Sequence, residues 1–114
     1  MNDEIESLLN GSIDLHVHSG PDTKNMRMDA METARSAYEA GMAGFVLKSN
    51  DYLTTPLTYT LSQIYPGLAM YGSISLNSAV GGINPEAVSK AAELGTSFVS
   101  VSYTHLTLPT ILLV

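Results

Sequence analysis

The stretch Ile13-Asp14-Leu15-His16-Val17-His18-Ser19 decides how this chain is read. Ile13, Leu15 and Val17 alternate with Asp14, His16 and His18, and successive side chains of a strand point to opposite faces. The pattern predicts a strand over 13–18 with one apolar face and one face carrying a carboxylate and two imidazoles. Imidazoles two residues apart on a strand stand roughly 6.5 to 7 Å apart along the chain, near enough for the rings to converge on one cation. Neutral imidazole is the commonest metal ligand among side chains. A polar groove lined by two satisfied histidines has the same spacing, so spacing alone leaves both readings open.

Outward from this strand the chain repeats one grammar: apolar strand, polar loop, amphipathic helix, closing glycine. Asp29 and Glu32 form a capping-box pair before Ala30, Ala34, Ala37 and Tyr38 at helical spacing, and Gly41 supplies the stop. Residues 43–49 read as a second strand, with Phe45 and Leu47 opposite Val46 and Lys48. Pro56 suits the first turn of a second helix that Pro66-Gly67 ends. A third strand over 68–77 puts Leu68, Met70, Ile74 and Leu76 on one side and Tyr71, Ser73, Ser75 and Asn77 on the other. Asn84-Pro85 is a helix start, with Val88, Ala91, Ala92 and Leu94 as the buried stripe before Gly95, and residues 96–101 read as a fourth strand.

Strands alternating with helices imply parallel βαβ architecture. The expectation is therefore an α/β domain of about four parallel strands with three helices. A length of 114 residues holds one small domain, whereas a closed barrel of eight strands usually needs about 250. The predicted elements amount to the N-terminal half of a TIM-like (β/α)8 barrel over residues 1–101.

Eleven acidic against five basic residues give a formal charge of −6, which leaves a phosphate backbone nothing to hold and argues against nucleic acid. No cysteine is present, so disulfides and thiolate metal sites are excluded. Met1-Asn-Asp-Glu-Ile-Glu6 opens with acids where a secretory leader carries basic residues, and the cytoplasm is the default expectation. The uncharged stretch 95–114 is interrupted by Ser, Thr, Tyr, His105 and Pro109, so a membrane span is not expected.

The run from Asp14 to Ser19 resembles the first-strand signature of the amidohydrolase superfamily and of the related polymerase-and-histidinol-phosphatase type phosphoesterases. More closely, Asp14-Leu-His-Val-His-Ser-Gly-Pro-Asp22, Glu39-Ala-Gly-Met-Ala-Gly-Phe-Val-Leu-Lys-Ser49 and Leu76-Asn-Ser-Ala-Val-Gly-Gly-Ile-Asn-Pro85 resemble a bacterial amidohydrolase-like family of unassigned function. The resemblance implies a distorted (β/α)8 barrel in which His16 and His18 bind a divalent metal, zinc above all with manganese or another ion as alternatives. It also implies a metal-activated water that attacks an amide, ester or related bond of a small-molecule substrate.

Asp14 is expected on the histidine face, either orienting His16 or paired with Lys48. Lys48 ends its strand on the side opposite Phe45 and is a candidate substrate anchor or charge partner. Asp22 and Asp51 lie in the loops beyond the first two strands, as ligand or general base or as the turn residues that loop aspartates more commonly are. The phosphoesterases carry an Asp and a His at the second strand end, where this chain has Lys48-Ser49-Asn50-Asp51. The closer family favours histidine where Asn50 stands, and an amide is a poorer zinc ligand. Val80-Gly-Gly-Ile-Asn-Pro85 reads as a tight strand-to-helix turn, since the Gly-Lys-Ser/Thr of a phosphate-binding loop is missing.

The segment Ser102-Tyr-Thr-His-Leu-Thr-Leu-Pro-Thr110 resembles translated sequencing-adapter read-through, so residues 102–114 are expected to be non-native and His105 is not counted as a ligand. Further ligands of amidohydrolase-type sites come from strands beyond the fourth. The chain as written is thus expected to bind metal weakly and to turn nothing over. A phosphoesterase of related architecture and a non-catalytic barrel that holds a small ligand are the competing readings.

Overall fold

Alternation of apolar and polar residues produces the first strand of the computed structural model, which describes residues 3–101. The expected non-native tail, with His105, lies outside the described residues. In chain order the elements are α1 (Asp3–Leu9), β1 (Ile13–His18), α2 (Ala30–Glu39), β2 (Gly44–Lys48), α3 (Thr55–Ser62), β3 (Ala69–Tyr71), β4 (Ser73–Ser75), a 3-10 turn (Ser78–Val80), α4 (Pro85–Glu93) and β5 (Phe98–Ser100). Every strand pair is parallel: β1 with β2, β2 with β3, and β4 with β5. The architecture is α/β, with helices connecting parallel strands as the periodicity predicts.

The helix starts follow the cap residues. Asp29 accepts the Glu32 N–H at 2.8 Å while the Glu32 carboxylate accepts the Asp29 N–H at 3.2 Å, a complete capping box ahead of α2. Asn84 accepts the Ala87 N–H at 3.2 Å ahead of α4, with Pro85 in the first turn. No helix among the described residues is long and apolar enough to cross a membrane.

Two features differ from the sequence expectation of three helices and four unbroken strands. The first is α1, whose first turn carries Asp3, Glu4 and Glu6, charges that favour a helix N-terminus. It buries none of its side chains, so it leaves no apolar stripe to read.

The second is the third strand, which divides at Gly72 into β3 and β4. A Cβ on Gly72 would lie 2.6 Å from the Thr55 Cα, so only glycine lets the start of α3 pack onto the strand backbone. Beyond the break, hydroxyls replace the β-ladder. Fully buried Thr54 donates through Oγ1 to the Leu47 carbonyl at 2.7 Å and accepts the Ser73 N–H at 2.9 Å. Ser73 Oγ donates to the same Leu47 carbonyl at 2.7 Å. β4 stays beside β2 through these side chains and turns to pair with β5. The strands thus form two parallel sheets, β1-β2-β3 and β4-β5, held side by side at this junction.

The main core lies between the helices and one face of the three-stranded sheet: Ala30, Ala34 and Ala37 of α2 against Phe45 and Leu47 of β2, with Leu61 and Leu68. A second cluster joins Ile74 and Leu76 to Ala91 of α4. The outermost strands are less covered, with Leu15 on β1 66% and Val99 on β5 49% exposed.

The register of β1 also corrects an expectation. Asp14 pairs with Phe45, but Val17 pairs with Leu47 and His18 with Lys48, so β1 carries one extra residue between Asp14 and Val17. In-register neighbours share a face, and a one-residue slip exchanges faces. Asp14 therefore lies on the Phe45 and Leu47 face, not on the histidine face.

Candidate metal centre

Strand alternation beyond the bulge brings His16 and His18 to one side of β1. Their ring centroids are 5.0 Å apart and their Nε2 atoms 3.0 Å apart. At that separation one ring donates a hydrogen bond to the other, or both nitrogens face a shared cation. Two imidazole ligands of a tetrahedral zinc have nitrogens roughly 3.3 Å apart, given metal–nitrogen distances of about 2.0 to 2.1 Å. The donor pair suits a divalent ion in both element type and spacing. Among the described residues no group of three or more His, Cys, Asp or Glu comes together, so no third such ligand joins these two rings.

Asp14 does not reach a ring. Its Oδ1 accepts the backbone N–H of His16 at 3.0 Å, which ties the carboxylate to the bulged backbone. Its expected alternative partner, Lys48, donates instead from Nζ to Ser100 Oγ at 2.5 Å.

Around the histidines the C-terminal strand ends enclose a recess of about 120 Å³. β1 contributes the two rings, β2 and its exit contribute Lys48 and Asn50, and β4 and β5 contribute Ser75 and Ser100. Asn77 closes one side, its Nδ2 donating to the Asn50 carbonyl at 2.9 Å. Ser75, Asn77 and Ser100 were not expected as site residues. The polar alternation of the third strand is the signal that marks Ser75 and Asn77, while nothing in the sequence assigns the Ser100 hydroxyl to Lys48.

Asp22 and Asp51 are joined through Thr23 in the loops beyond β1 and β2. Thr23 Oγ1 donates to Asp51 at 2.5 Å, the Thr23 N–H donates to Asp22 at 2.7 Å, and Ser49 Oγ reaches the other Asp22 oxygen at 3.4 Å. Tyr52 OH closes the same loop on the Pro21 carbonyl at 2.6 Å. Both carboxylates thus organise loops, though Asp22 also acts on the site electrostatically. Burial lowers the His18 pKa from its ordinary value and the His16 ring adds to the effect; Asp22 opposes it, and Lys48 lowers it further. Burial, with Asp22, raises the Tyr52 pKa.

A larger groove, of about 510 Å³, runs along the flank of β1 and α2 and includes Asp14, Val17, Arg27 and Met28. Besides Asp14 and Arg27 its lining carries His18, Thr33 and Ser36 among apolar side chains. His18 borders both hollows, and the smaller recess is the one that also holds His16 and Lys48.

Fold and site define a parallel α/β protein with a histidine pair at the C-terminal end of its first strand. The chain belongs to a family of unknown function, DUF6282, whose model matches residues 11–110. No curated protein and no solved structure matches it.

Proposed function

We propose that this chain carries the first metal-binding strand of a metal-dependent hydrolase of the amidohydrolase type. Its parallel strands would be the first half of a (β/α)8 barrel. The observation that carries the reading is the convergence of His16 and His18 Nε2 at 3.0 Å at a strand end that opens into a polar recess. Parallel α/β barrels place their chemistry at that end. The resemblance of Asp14 to Ser19 to the amidohydrolase first strand supports it, as does the parallel pairing of the strands among the described residues.

In this reading His16 and His18 hold a divalent cation, zinc first and manganese as the alternative. When bound, such an ion supplies Lewis acidity and an activated water. Neutral rings are required for ligation, and the burial that lowers the His18 pKa favours that form. Asp14 holds the bulged backbone through the His16 N–H and so fixes where the ring starts. Asp22 sets the local field, while its bonds to Thr23 and Ser49 keep it in the loop. Two imidazoles leave coordination positions for groups from further strands.

Zinc titration by calorimetry tests the ligand assignment. One equivalent of weakly held zinc per chain is expected, abolished in a His16→Ala/His18→Ala double variant. Equal uptake by wild type and double variant would overturn it. A family member that continues past the fourth strand is then screened against amides, esters and lactones beside phosphate esters. Turnover of the phosphate esters alone would favour the phosphoesterase reading. Metal-free binding of a small molecule with no turnover would favour the binding barrel, to which Asn50 at the recess points.

A further inference from the structure

We infer that the recess beside the histidine pair takes a carboxylate group of the substrate, held by the Lys48 ammonium, an inference that rests on the hydrolase reading. Lys48 is half-buried at the end of β2, and a buried cation is ordinarily paired with an anion. The lysine ion pair among the described residues is instead Lys90 with Glu93 on the surface, at 3.2 Å. Lys48 bonds to a neutral oxygen, Ser100 Oγ. In a chain of net charge −6, this recess reverses the prevailing sign.

The neighbouring groups are donors as well. Ser75 is 7% exposed and lines the recess, and its hydroxyl has no hydrogen-bond partner among the described residues. Ser100 accepts from Lys48 and keeps its own O–H to give. The Asn50 side-chain amide lines the recess and is without a partner among the described residues. An ammonium, two hydroxyls and an amide facing one hollow make a binding place for an oxyanion.

Size and charge narrow the class. The recess of about 120 Å³ is well below the roughly 300–1,000 Å³ of pockets that bury drug-sized ligands, and so suits a small anionic group. A single ammonium balances a monoanion. Phosphate, with its second charge, is usually met by bidentate arginine or by the amides of a helix N-terminus. His18 and Lys48 are in-register partners on adjacent strands, about 4.8 Å apart. The scissile group at the histidines and the carboxylate at Lys48 are therefore a few bonds apart in one molecule. The substrate class is an amide, ester or lactone that carries a carboxylate close to the bond to be broken.

The test is an amide NMR titration of the chain with succinate and, separately, with inorganic phosphate, in wild type and in Lys48→Met, Lys48→Arg, Ser75→Ala and His16→Ala/His18→Ala. Succinate is expected to shift the amides at the ends of β2, β4 and β5. Its affinity should fall about tenfold in Lys48→Met, the loss of one charge-assisted hydrogen bond, and should be largely kept in Lys48→Arg. Retention of that Lys48-dependent binding in the histidine double variant supports the inference even where the metal assignment has failed. Unchanged succinate binding in Lys48→Met overturns it. So does succinate binding that needs zinc and the histidines but not Lys48, a result that leaves the metal reading standing. Tighter Lys48-dependent binding of phosphate than of succinate overturns the carboxylate class. Should Lys48→Met not fold, Ser75→Ala decides: weaker succinate binding supports the inference and unchanged binding overturns it.

Discussion

Burial at the end of β1 favours the uncharged ring of His18, and the nearby His16 pushes the same way. The folded pKa lies below the unfolded one, so between the two values the unfolded chain binds more protons. Stability owed to the neutral ring is therefore present above about pH 6.5, the ordinary imidazole value, and falls as pH drops through it toward the lowered folded value. Melting curves at pH 7.5 and 5.5 should show a larger loss in wild type than in His18→Asn. A ring titration by NMR that placed His18 at or above the ordinary value would contradict this. The same lowering predicts that zinc uptake persists to lower pH than imidazole of ordinary pKa allows, checked by calorimetry across that range.

At the scale of elements the junction of the two sheets depends on a few short contacts. Thr54 carries hydrogen bonds to both Leu47 and Ser73 where backbone pairing lapses. Thr54→Val keeps the shape but leaves the buried Ser73 N–H unpartnered, and should destabilise the chain by about 1–3 kcal/mol. A melting-temperature drop of about 4–8 °C per kcal/mol is expected for a domain of this size, and an unchanged melting temperature would remove the clamp from the account. Gly72→Ala drives a Cβ to within 2.6 Å of the Thr55 backbone, so a loss of about 1–3 kcal/mol from overpacking is expected in denaturant titration. Neither effect is visible in the sequence. Leu68 to Asn77 alternates without interruption through Gly72, and the close approach at the break involves Thr55, brought there only by folding. The helix starts at Asp29 and Asn84 are legible because a cap acts within one turn.

Across the whole molecule, the outer strands β1 and β5 have free edges among the described residues and carry exposed apolar side chains, Leu15 and Val99. Such edges template pairing with other chains. Concentration-dependent association is expected, and light scattering should find it reduced in a Leu15→Lys/Val99→Lys variant. Association that the variant leaves unchanged would locate the contact elsewhere.

Period-two alternation, helix caps and closing glycines determined the order of strands and helices, and His-x-His determined a candidate ligand pair. These are local properties, set within a few residues by backbone geometry. Tertiary structure alone decided which residues share the site. The bulge in β1 removed Asp14 from the histidine face, because a single extra residue inverts every later side chain relative to the neighbouring strand. The meeting of Lys48 with Ser100 joins positions 52 residues apart. No local pattern encodes such a contact, because it depends on how β4 and β5 curve around to the end of β2.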